Sequence, residues 1–416
     1  MRLEKYSFGH GDRFGQQGKA QLSAVMQAQA AGIQIVPVWN KSHREHTIIG
    51  TQPMDTRAEA DQAVQACAYT GHYYVDADHI NLTNVAGFME ASDFFTIDVA
   101  EAIGKPCDQA DLDEFVKSCA RYLGTLQIPG IDQPLEVTSE VIKAAAHAFL
   151  GAVKEAGVIY RTIADKKGGD SFITEVSMDE TDGPQSPTEL FFILAALAQE
   201  GVPAQTIAPK FSGRFNKGVD YVGDAAQFEE EFRQDVAVIE YAKTQFELPD
   251  TLKLSVHSGS DKFSIYGAIN RALKQFNAGV HVKTAGTTWL EELIGLAEAD
   301  GEGLVLAKTV YAKALAKADA LCAPYATVID IDTHRLPSAE EVNSWTGKQY
   351  VEALRHDPAN PQYNLHLRQL LHVGYKIAAD LGAAYLDGLK QHEAIVARNV
   401  GDNILRRHIE PIFGGL

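Results

Sequence analysis

Residues 253–284 read KLSVHSGSDKFSIYGAINRALKQFNAGVHVKT, and they contain one full copy of the unit that repeats along the chain. The short apolar run at 253–257 predicts a strand, and 261–276 has the spacing of apolar residues typical of an amphipathic helix. Asn277-Ala278-Gly279 is typical of a helix end, and a second apolar run follows at 280–284. A strand, a helix and a strand in this order favour a parallel α/β sheet.

The same alternation recurs over most of the sequence. Strands are predicted at 6–9, 34–39, 73–78, 94–98, 172–176, 206–210, 253–257 and 280–284. Amphipathic stretches lie between them, at 20–31, 57–69, 187–200, 226–246 and 261–276. This number of βα units fits a closed (β/α)8 barrel of the TIM type, which takes at least ~250 residues. An open, doubly wound sheet is the alternative.

Two segments depart from the repeat. A mostly helical insertion without a clear strand is expected at about 100–170, after the fourth strand. A C-terminal helical extension is expected at about 287–416, interrupted by a candidate strand at 327–332. Because no linker rich in Ser or Gly separates these segments from the barrel, we predict a single domain over residues 1–416.

The composition excludes several classes of partner. The chain has 55 acidic residues against 37 Lys and Arg, a net charge of −18, which repels phosphate backbones and anionic lipids. We therefore expect no nucleic acid and no membrane, but a small-molecule substrate; a homo-oligomer stays open. The 4 cysteines are scattered and the first residues lack an apolar signal run, so we expect reduced thiols in a cytoplasmic protein.

Polar side chains lie where the predicted strands end. In a parallel barrel these ends meet at one face, and active sites form there. The candidates are Asp12, Arg13, Asn40, Lys41, Asp76, Asp78, His79, Asp98, Glu175, Asp179, Lys210, Arg214, His257, His281 and Lys283. One such residue could be an ordinary rim side chain, and Asp98 could be a helix cap. Their coincidence at every strand end favours an active site.

Histidines among these ends suggest a metal site. His79, His257 and His281, with Glu175 nearby, offer imidazole and carboxylate ligands to a divalent ion such as Zn, Mn, Ni or Co. They lie far apart in sequence, so only the barrel brings them together. His281 and Lys283 share one face of their strand, and a buried His/Lys face is costly unless it lines a site.

Basic residues near the same ends suit an anionic ligand. Lys210, Arg214 and Lys217 lie in the run KFSGRFNK, while Arg13 and Lys41 follow the first two strands. Arg binds carboxylates through two hydrogen bonds and Lys as a point charge. An ordinary basic loop is the other interpretation.

Long phrases of the chain resemble the tagaturonate epimerase family, which interconverts tagaturonate and fructuronate. They include SFGHGDRFGQQGKAQ from Ser7, PVWNKSHREHTIIGT from Pro37, YVDADHINL from Tyr74, TIAPKFSGRFNKGVDYVGD from Thr206, LSVHSGSDKFSIY from Leu254, VHVKTAGTTWLEELIGLAE from Val280 and LRHDPANPQYNLHLRQLLHVGYK from Leu354. These phrases span nearly the whole chain. The resemblance implies an isomerase: a metal-dependent sugar-acid epimerase.

A looser similarity, to class II metal-dependent aldolases, implies roles for individual residues. Asp78 would be the base, His79 and His257 metal ligands, and Glu175 a partner acid. At the sixth strand, where an aldolase carries a further ligand histidine, this chain has Pro-Lys-Phe, so His281 is our substitute.

The implied reaction also suggests a mechanism. Fructuronate and tagaturonate carry a ketone at C2 and differ at C4, whose hydrogen is β to the ketone, so deprotonation there gains no enolate stabilisation. Retro-aldol cleavage of the C3–C4 bond does gain enolate stabilisation. We expect Asp78 to take the C4 hydroxyl proton and Glu175 to relay protons. The substrate-binding residues we predict are Asp12, Arg13, Asn40, Lys41, Lys210, Arg214 and Lys283, with Arg44 as another candidate for the carboxylate.

Other interpretations stay open. Carbonyl migration to C3 with proton exchange at C4 competes with the retro-aldol course. A class II-type aldolase or ketose isomerase acting on a sugar acid is the alternative enzyme, and a sugar-acid binder the alternative without catalysis. Near the C-terminus, we favour a solvated helix for His356, Arg368 and His372 over a place in the site.

Overall fold

The computed structural model describes residues 1–179, 181, 183–284 and 286–416. Its strands are β1 (Tyr6–His10), β2 (Val36–Ser42), β3 (Tyr74–Ile80), β4 (Phe94–Asp98), β5 (Gly124–Leu126), β6 (Leu135–Val137), β7 (Ile173–Ser177), β8 (Thr206–Ala208), β9 (Lys253–His257) and β10 (Val280–Thr284). All except β5 and β6 are parallel and close a barrel in the order β1-β10-β9-β8-β7-β4-β3-β2. The predicted TIM-type barrel is confirmed.

Helices cover the outside of this barrel and form the C-terminal region. They are α1 (Gly18–Ala30), α2 (His43–Ile49), α3 (Pro53–Ala66), α4 (Gln109–Cys119), α5 (Ser139–Lys167), α6 (Pro187–Glu200), α7 (Ala225–Phe246), α8 (Phe263–Phe276), α9 (Thr287–Glu298), α10 (Gly301–Ala316), α11 (Ala318–Cys322), α12 (Ala339–Ser344), α13 (Gly347–Leu354), α14 (Leu365–Val373), α15 (Tyr375–Leu381), α16 (Ala383–Gln391), α17 (Glu393–Asp402) and α18 (Glu410–Phe413), with a π-helix at Asn403–Ile409. Among the described residues, no helix combines the length and the apolar composition that a bilayer span requires.

The helix boundaries follow local sequence signals. Helix α6 begins after Ser186, whose hydroxyl accepts from the Glu189 backbone N–H while the Glu189 carboxylate accepts from the Ser186 N–H. Helix α8 ends at Asn277, which takes a left-handed conformation with φ of 49°. The first signal sets the start of the helix after β7, and the second ends α8 just before β10.

Two sequence expectations about extra strands are wrong. The insertion does contain strands, because β5 and β6 form a two-stranded antiparallel hairpin. Residues 327–332 form no strand, and 333–335 form a short 3-10 turn. Each hairpin strand has only three residues, which is too short to show a period-2 pattern in sequence. The prediction of one domain stays a prediction.

The barrel interior is apolar at one end and polar at the other. A cluster made of Leu3, Val36, Val38, Tyr74, Phe94 and Ile173 fills the half near the strand starts. Side chains alternate between the interior and the helices, so Ser7 and Gly9 lie beside His281 and Lys283 inside the barrel. The polar half is therefore at the C-terminal strand ends.

The C-terminal helices pack tightly on the barrel helices. At Gly295 of α9, an added Cβ would lie 2.7 Å from the Cα of Val396 in α17, so the two helix backbones touch. The expected solvated positions of His356, Arg368 and His372 are wrong, since their exposed fractions are 1%, 0% and 3%. Arg368 and His356 instead contact the carboxylate of Asp261, just after β9, at 2.8 and 3.1 Å.

Candidate active site

A bulge in β3 brings two adjacent side chains to the barrel mouth. The pairing of β3 with β4 shifts register between Ala77 and Ile80, and His79 has a φ of 53°. In a regular strand, Asp78 and His79 would point to opposite faces. The bulge and the left-handed residue re-aim His79, a device common beside active sites. Its Nδ1 lies 2.9 Å from Asp78 Oδ1.

Three side chains at this mouth, the candidate metal group, lie close enough together to hold one ion. One donor atom each from His79, Asp179 and His257 lies within 4.8 Å of the other two. His257 Nδ1 is 3.1 Å from Asp179 Oδ2, and His79 Nε2 is 3.7 Å from Asp179 Oδ1. Two imidazoles and a carboxylate form a donor set that suits divalent transition metals.

The second nitrogen of each imidazole is bound to another carboxylate. His79 Nδ1 faces Asp78 Oδ1, and His257 Nε2 lies 2.8 Å from Glu175 Oε1. Carboxylates in this position orient metal-binding histidines and fix their tautomers. The residues present therefore fit a divalent ion held by His79, Asp179 and His257.

Lys283 lies at the centre of a buried network of acids beside this group. Its Nζ is 2.7 Å from Asp76 Oδ2, 3.0 Å from Asp78 Oδ1 and 2.9 Å from Glu175 Oε1. Lys283 also contacts the hydroxyl of Thr96. One ammonium thus connects three carboxylates, and it fixes the positions of Asp78 and Glu175 relative to each other.

The charges of this network shift the pKa values of its members. Burial raises the pKa of Asp76 to about 7, against the opposing effect of Lys283. Burial alone would also raise the pKa of Glu175, but Lys283 and His257 outweigh it and hold that pKa well below its usual range. For Asp78, burial is likewise outweighed, first by His79 and then by Lys283, and the pKa is lowered. Asp78 and Glu175 are therefore carboxylates at neutral pH.

The same acids raise the pKa values of the two histidines in the group. Burial would lower the pKa of His257, but the charges of Asp179 and Glu175 raise it to about 9. The pKa of His79 is raised well above its usual range, because Asp78 and Asp179 outweigh its burial. The acids thus favour positive charge at this place, which protons or a divalent cation can supply.

The structure places His281 outside this group. Its Nδ1 lies 2.9 Å from the Ser7 hydroxyl, and its ring packs 5.2 Å from the ring of Phe94. Burial lowers the pKa of His281 to about 3, so the imidazole is neutral. The third member of this group is Asp179, where the sequence suggested His281.

The predicted substrate-binding residues divide between the barrel interior and its rim. Asn40 is 1% exposed, and neither atom of its amide has a hydrogen-bond partner in the described structure. Asp12 instead shapes the turn before α1, because it accepts N–H groups from Phe14, Gly15 and Gln17. Asn40 and Lys283 are thus the predicted binders inside the barrel.

The basic candidates make their contacts away from the candidate metal group of His79, Asp179 and His257. Arg13 pairs with Glu45 and stacks on Tyr375, with its guanidinium 4.5 Å from the ring centre. Lys41 is buried and donates to the Arg13 carbonyl at 2.8 Å. Arg214 donates to the Ile329 carbonyl at 3.2 Å.

Two more of the predicted positions lie at strand ends on the rim. The backbone N–H of Lys210 donates to Gln185 Oε1 at 2.5 Å. Asp98 accepts from the Ala100 N–H at 3.0 Å, which agrees with a capping role.

Sequence reasoning placed Asp76 and Asp179 at strand ends without giving them a role, and it missed two threonines. Asp179 follows β7 by two residues, and Asp76 shares its face of β3 with Asp78, so the strand-end and period-2 patterns contain both. Thr96 donates to Asp76 at 2.9 Å, and Thr206 donates to Glu175 Oε2 at 2.7 Å. Threonines are common in strands, and nothing in the sequence marks these two.

The fold and the site together define the class of protein. A TIM-type barrel with a histidine–carboxylate group and a buried acid–lysine network at the C-terminal strand ends is typical of an enzyme. Residues 1–392 match the tagaturonate epimerase family, and the chain belongs to this family of sugar-acid epimerases.

Individual members of the family are similar over almost the whole chain. The tagaturonate/fructuronate epimerase of Thermotoga maritima is 28% identical over 424 residues, which cover 98% of this chain and 81% of that protein. The fructuronate-tagaturonate epimerase of Cohnella laeviribosi, in a crystal structure with one glycerol, is 25% identical with a TM-score of 0.77. The match covers 99% of this chain and 82% of that one. A complex of the Cohnella enzyme with two glycerols, at 24% identity, has a TM-score of 0.81 and the same coverage, which shows the shared fold.

Proposed function

We propose that this chain is a metal-dependent epimerase that interconverts D-tagaturonate and D-fructuronate at C4. The names of its relatives support the substrate pair, and the chain belongs to their family. The observation that carries the proposal is the geometry of His79, Asp179 and His257, whose donor atoms lie within 4.8 Å of one another beside a buried acid–lysine network. An epimerase that breaks and remakes a bond next to a carbonyl needs both an electrophile and a base.

His79, Asp179 and His257 would hold the ion, which supplies Lewis-acid polarisation of the C2 ketone. Asp78 is the proposed base, because His79 and Lys283 both contact its Oδ1 and keep it ionised. Its Oδ2 takes the proton of the C4 hydroxyl. The C3–C4 bond then breaks, its electron pair passes into the C2 carbonyl system, and C4 becomes an aldehyde.

The configuration inverts when the aldehyde half rotates and the same bond forms on its other face. The new C4 alkoxide must regain the proton that Asp78 has taken up, and Glu175 is the proposed relay, since its Oε1 contacts both His257 and Lys283. Lys283 positions both acids throughout, because one ammonium contacts Asp78 and Glu175. The amide of Asn40, buried without a partner in the described interior, is the proposed donor to a sugar hydroxyl.

Further aspects of the proposal follow from the acidic surface and the cysteines. With a net charge of −18 the protein acts on a small molecule rather than on nucleic acid or a membrane. A cytoplasmic location is supported by Cys67, Cys107, Cys119 and Cys322, which are all free thiols. A homo-oligomer stays part of the proposal.

An NMR time course of fructuronate tests the proposed reaction. Protein stripped with a chelator should be inactive, and protein reloaded with Mn²⁺, Ni²⁺ or Zn²⁺ should form tagaturonate. Asp179→Asn should lose at least ~100-fold in activity at matched metal concentration, whereas Asp165→Asn, at an exposed position on α5, should keep it. Full activity of the stripped protein would reject the metal. Net cleavage products would identify an aldolase, and an aldose product would identify a ketose isomerase.

The same reaction run in D₂O tests the retro-aldol course. Cleavage of C3–C4 leaves the hydrogen on C4 in place, so the tagaturonate formed should keep its protium at C4. Carbonyl migration to C3 would instead exchange that hydrogen with solvent. Deuterium at C4 of the product therefore contradicts the retro-aldol proposal.

A further inference from the structure

Two glycines form one small surface near the candidate metal group, two residues after His257 and just before α9. Gly259 follows β9, and Gly286 precedes α9. The Gly286 N–H donates to the Gly259 carbonyl at 2.9 Å, so the turns after β9 and β10 are joined. A Cβ on Gly286 would overlap Nε2 of His372, so only glycine fits there.

The start of α9 lies at this surface without a side-chain cap. Gly286 is its N-cap residue, and no side chain accepts a hydrogen bond there. The first N–H groups of a helix lack partners within the helix and carry a partial positive charge, so they attract anions. Helix α9 has 12 residues, enough for a substantial dipole.

A buried histidine points at the same place. His372 is 3% exposed, lies directly against Gly286, and its Nε2 has no hydrogen-bond partner in the described part of the chain. Leaving a buried polar nitrogen without a partner is energetically unfavourable. A ligand oxygen at this surface would remove that cost.

Positive charge surrounds this histidine. The Nζ of Lys217, a half-buried residue, is 3.6 Å from the position that a Cβ on Gly259 would take. Burial, followed by the charges of Arg13, Lys217, Lys262 and Arg368, holds the pKa of His372 well below its usual range. Four basic side chains therefore lie around one imidazole in a chain whose net charge is −18.

Two of these basic side chains hold the surrounding loops through hydrogen bonds. Lys262 donates to the carbonyls of Asn216 and Val219, at 3.1 and 2.8 Å. Arg368 donates to the Gly218 carbonyl and pairs with Asp261. Both side chains thereby hold the segment 216–219, which carries Lys217, against the turn after β9.

We propose that Lys217, His372 and the first turn of α9 form the subsite that binds the terminal carboxylate of the substrate. This inference rests on the proposed function and deepens it. Gly259 is two residues beyond His257, so at most about 7 Å of backbone separates them. The C2 ketone and the C6 carboxylate of a hexuronate are four bonds apart, about 5 Å. One substrate can therefore span both places.

A carboxylate anchor has a specific use in the proposed reaction. After the C3–C4 bond breaks, the carboxylate belongs to the aldehyde fragment, C4 to C6. A fragment held by C6 can turn its aldehyde face without leaving the site. The same anchor selects sugar acids over neutral ketoses, because the charge of the substrate makes the contact.

Steady-state kinetics of the metal-loaded enzyme test this subsite. Lys217→Met should raise the KM for fructuronate at least tenfold and change kcat less than threefold, and Lys217→Arg should restore most of the loss. His372→Asn should also raise KM. Lys348→Met removes the same charge from an exposed site on α13, and it should leave both constants unchanged. An unchanged KM in Lys217→Met, with active wild-type enzyme, would overturn the subsite.

Inorganic phosphate provides a probe that does not depend on turnover. Phosphate should raise the Tm of the wild-type holoenzyme and compete with fructuronate, and both effects should be lost in Lys217→Met. If the wild type is inactive on fructuronate but phosphate still binds through Lys217, the proposed function fails and the anion subsite stands. Turnover of fructose 6-phosphate in preference to fructuronate would assign the subsite to a phosphate and reject the carboxylate.

Discussion

At the scale of single residues, the conformation of His79 shows how the site is built against local preference. A left-handed backbone costs a residue with a side chain about 1–2 kcal/mol. His79 has a φ of 53°, and this conformation is what turns its imidazole toward Asp179. The surrounding barrel stabilises the bulge, and the cost is borne at the residue that would bind the metal.

His79→Gly should therefore separate stability from function. Glycine takes this φ without the Cβ penalty, so metal-free His79→Gly should have a higher Tm than metal-free His79→Ala, which loses the same imidazole. Activity should fall at least ~100-fold, because a proposed ligand is lost. Asn277→Gly makes the same backbone change at the end of α8, where φ is 49°, and it should keep full activity. Equal Tm values for metal-free His79→Gly and His79→Ala would contradict the strain at this residue.

Two buried lysines on neighbouring strands have opposite pKa shifts. Lys283 has acids around it that outweigh its burial, so its pKa is raised well above the usual range. Lys253, on the inner face of β9 at the other end of the barrel, contacts the backbone carbonyl of Glu4, and burial lowers its pKa from 10.5 to about 7. The two pKa shifts differ because carboxylates surround Lys283 and not Lys253, and not because one lysine is more deeply buried.

Lys253 should make stability depend on pH in a definite direction. Between pH 7 and pH 10.5, the unfolded chain holds one more proton at this residue than the folded chain, so the free energy of unfolding rises with pH. The slope is at most about 1.4 kcal/mol per pH unit. Urea denaturation from pH 6.5 to pH 9.5 should show this rise in the wild type and in Lys348→Met, but a smaller rise in Lys253→Met. Parallel curves for wild type and Lys253→Met would contradict the depressed pKa.

At the scale of elements, one carboxylate connects the barrel to the C-terminal helices. Asp261 is fully buried in the turn after β9, and it contacts Arg368 of α14, His356, and His408 of the π-helix. Burial alone would raise the pKa of Asp261, but Arg368 outweighs it and holds the pKa well below the usual range. The turn that carries the proposed anion subsite is thus fixed from outside the barrel.

Asp261→Asn should loosen this connection. It leaves the fully buried Arg368 without its countercharge, which costs about 3–5 kcal/mol. We expect a lower Tm and faster hydrogen exchange in α14 and in residues 403–409, measured by mass spectrometry. Asp330→Asn removes an equal charge at an aspartate whose side chain is 77% exposed, and it should change neither. Exchange rates in both variants equal to those of the wild type would show that the helices are held by apolar packing alone.

Strands and helices of the barrel are the elements that sequence predicts best. The predicted range 253–257 matches β9 in full, and the range 187–200 matches α6. Each of these elements has a strong local signal, such as the capping box at Ser186. The hairpin of β5 and β6 is held by pairing between distant residues, which leaves no periodic pattern in so short a segment.

At the scale of the whole molecule, metal binding should raise the stability of the folded protein. A ligand that binds only the folded state stabilises it by about 2.7 kcal/mol at 100 times its Kd. Chelation should therefore lower the Tm of the wild type by several degrees, and it should lower that of Asp179→Asn much less. Asp165→Asn should behave as the wild type. Equal shifts in all three proteins would place the metal elsewhere.

The site was less predictable than the fold because its residues come from separate strands. The sequence identified His79, His257, Asp78 and Glu175, each at a strand end, and the structure brings them together. It did not identify Asp179 as a partner of both histidines, since only the closed barrel sets those distances. It also assigned His372 to a solvated helix, because the partners that bury this side chain lie more than 80 residues away in the sequence.

The contact between Gly295 and Val396 limits how this enzyme can be shortened. With the two backbones touching, removal of α17 would uncover a groove along α9 that no side chain of α9 can fill at position 295. A minimal catalytic barrel made by deleting the last helices would expose this groove to water and to other chains. Protein engineers who seek a smaller biocatalyst should redesign α9 only together with α17.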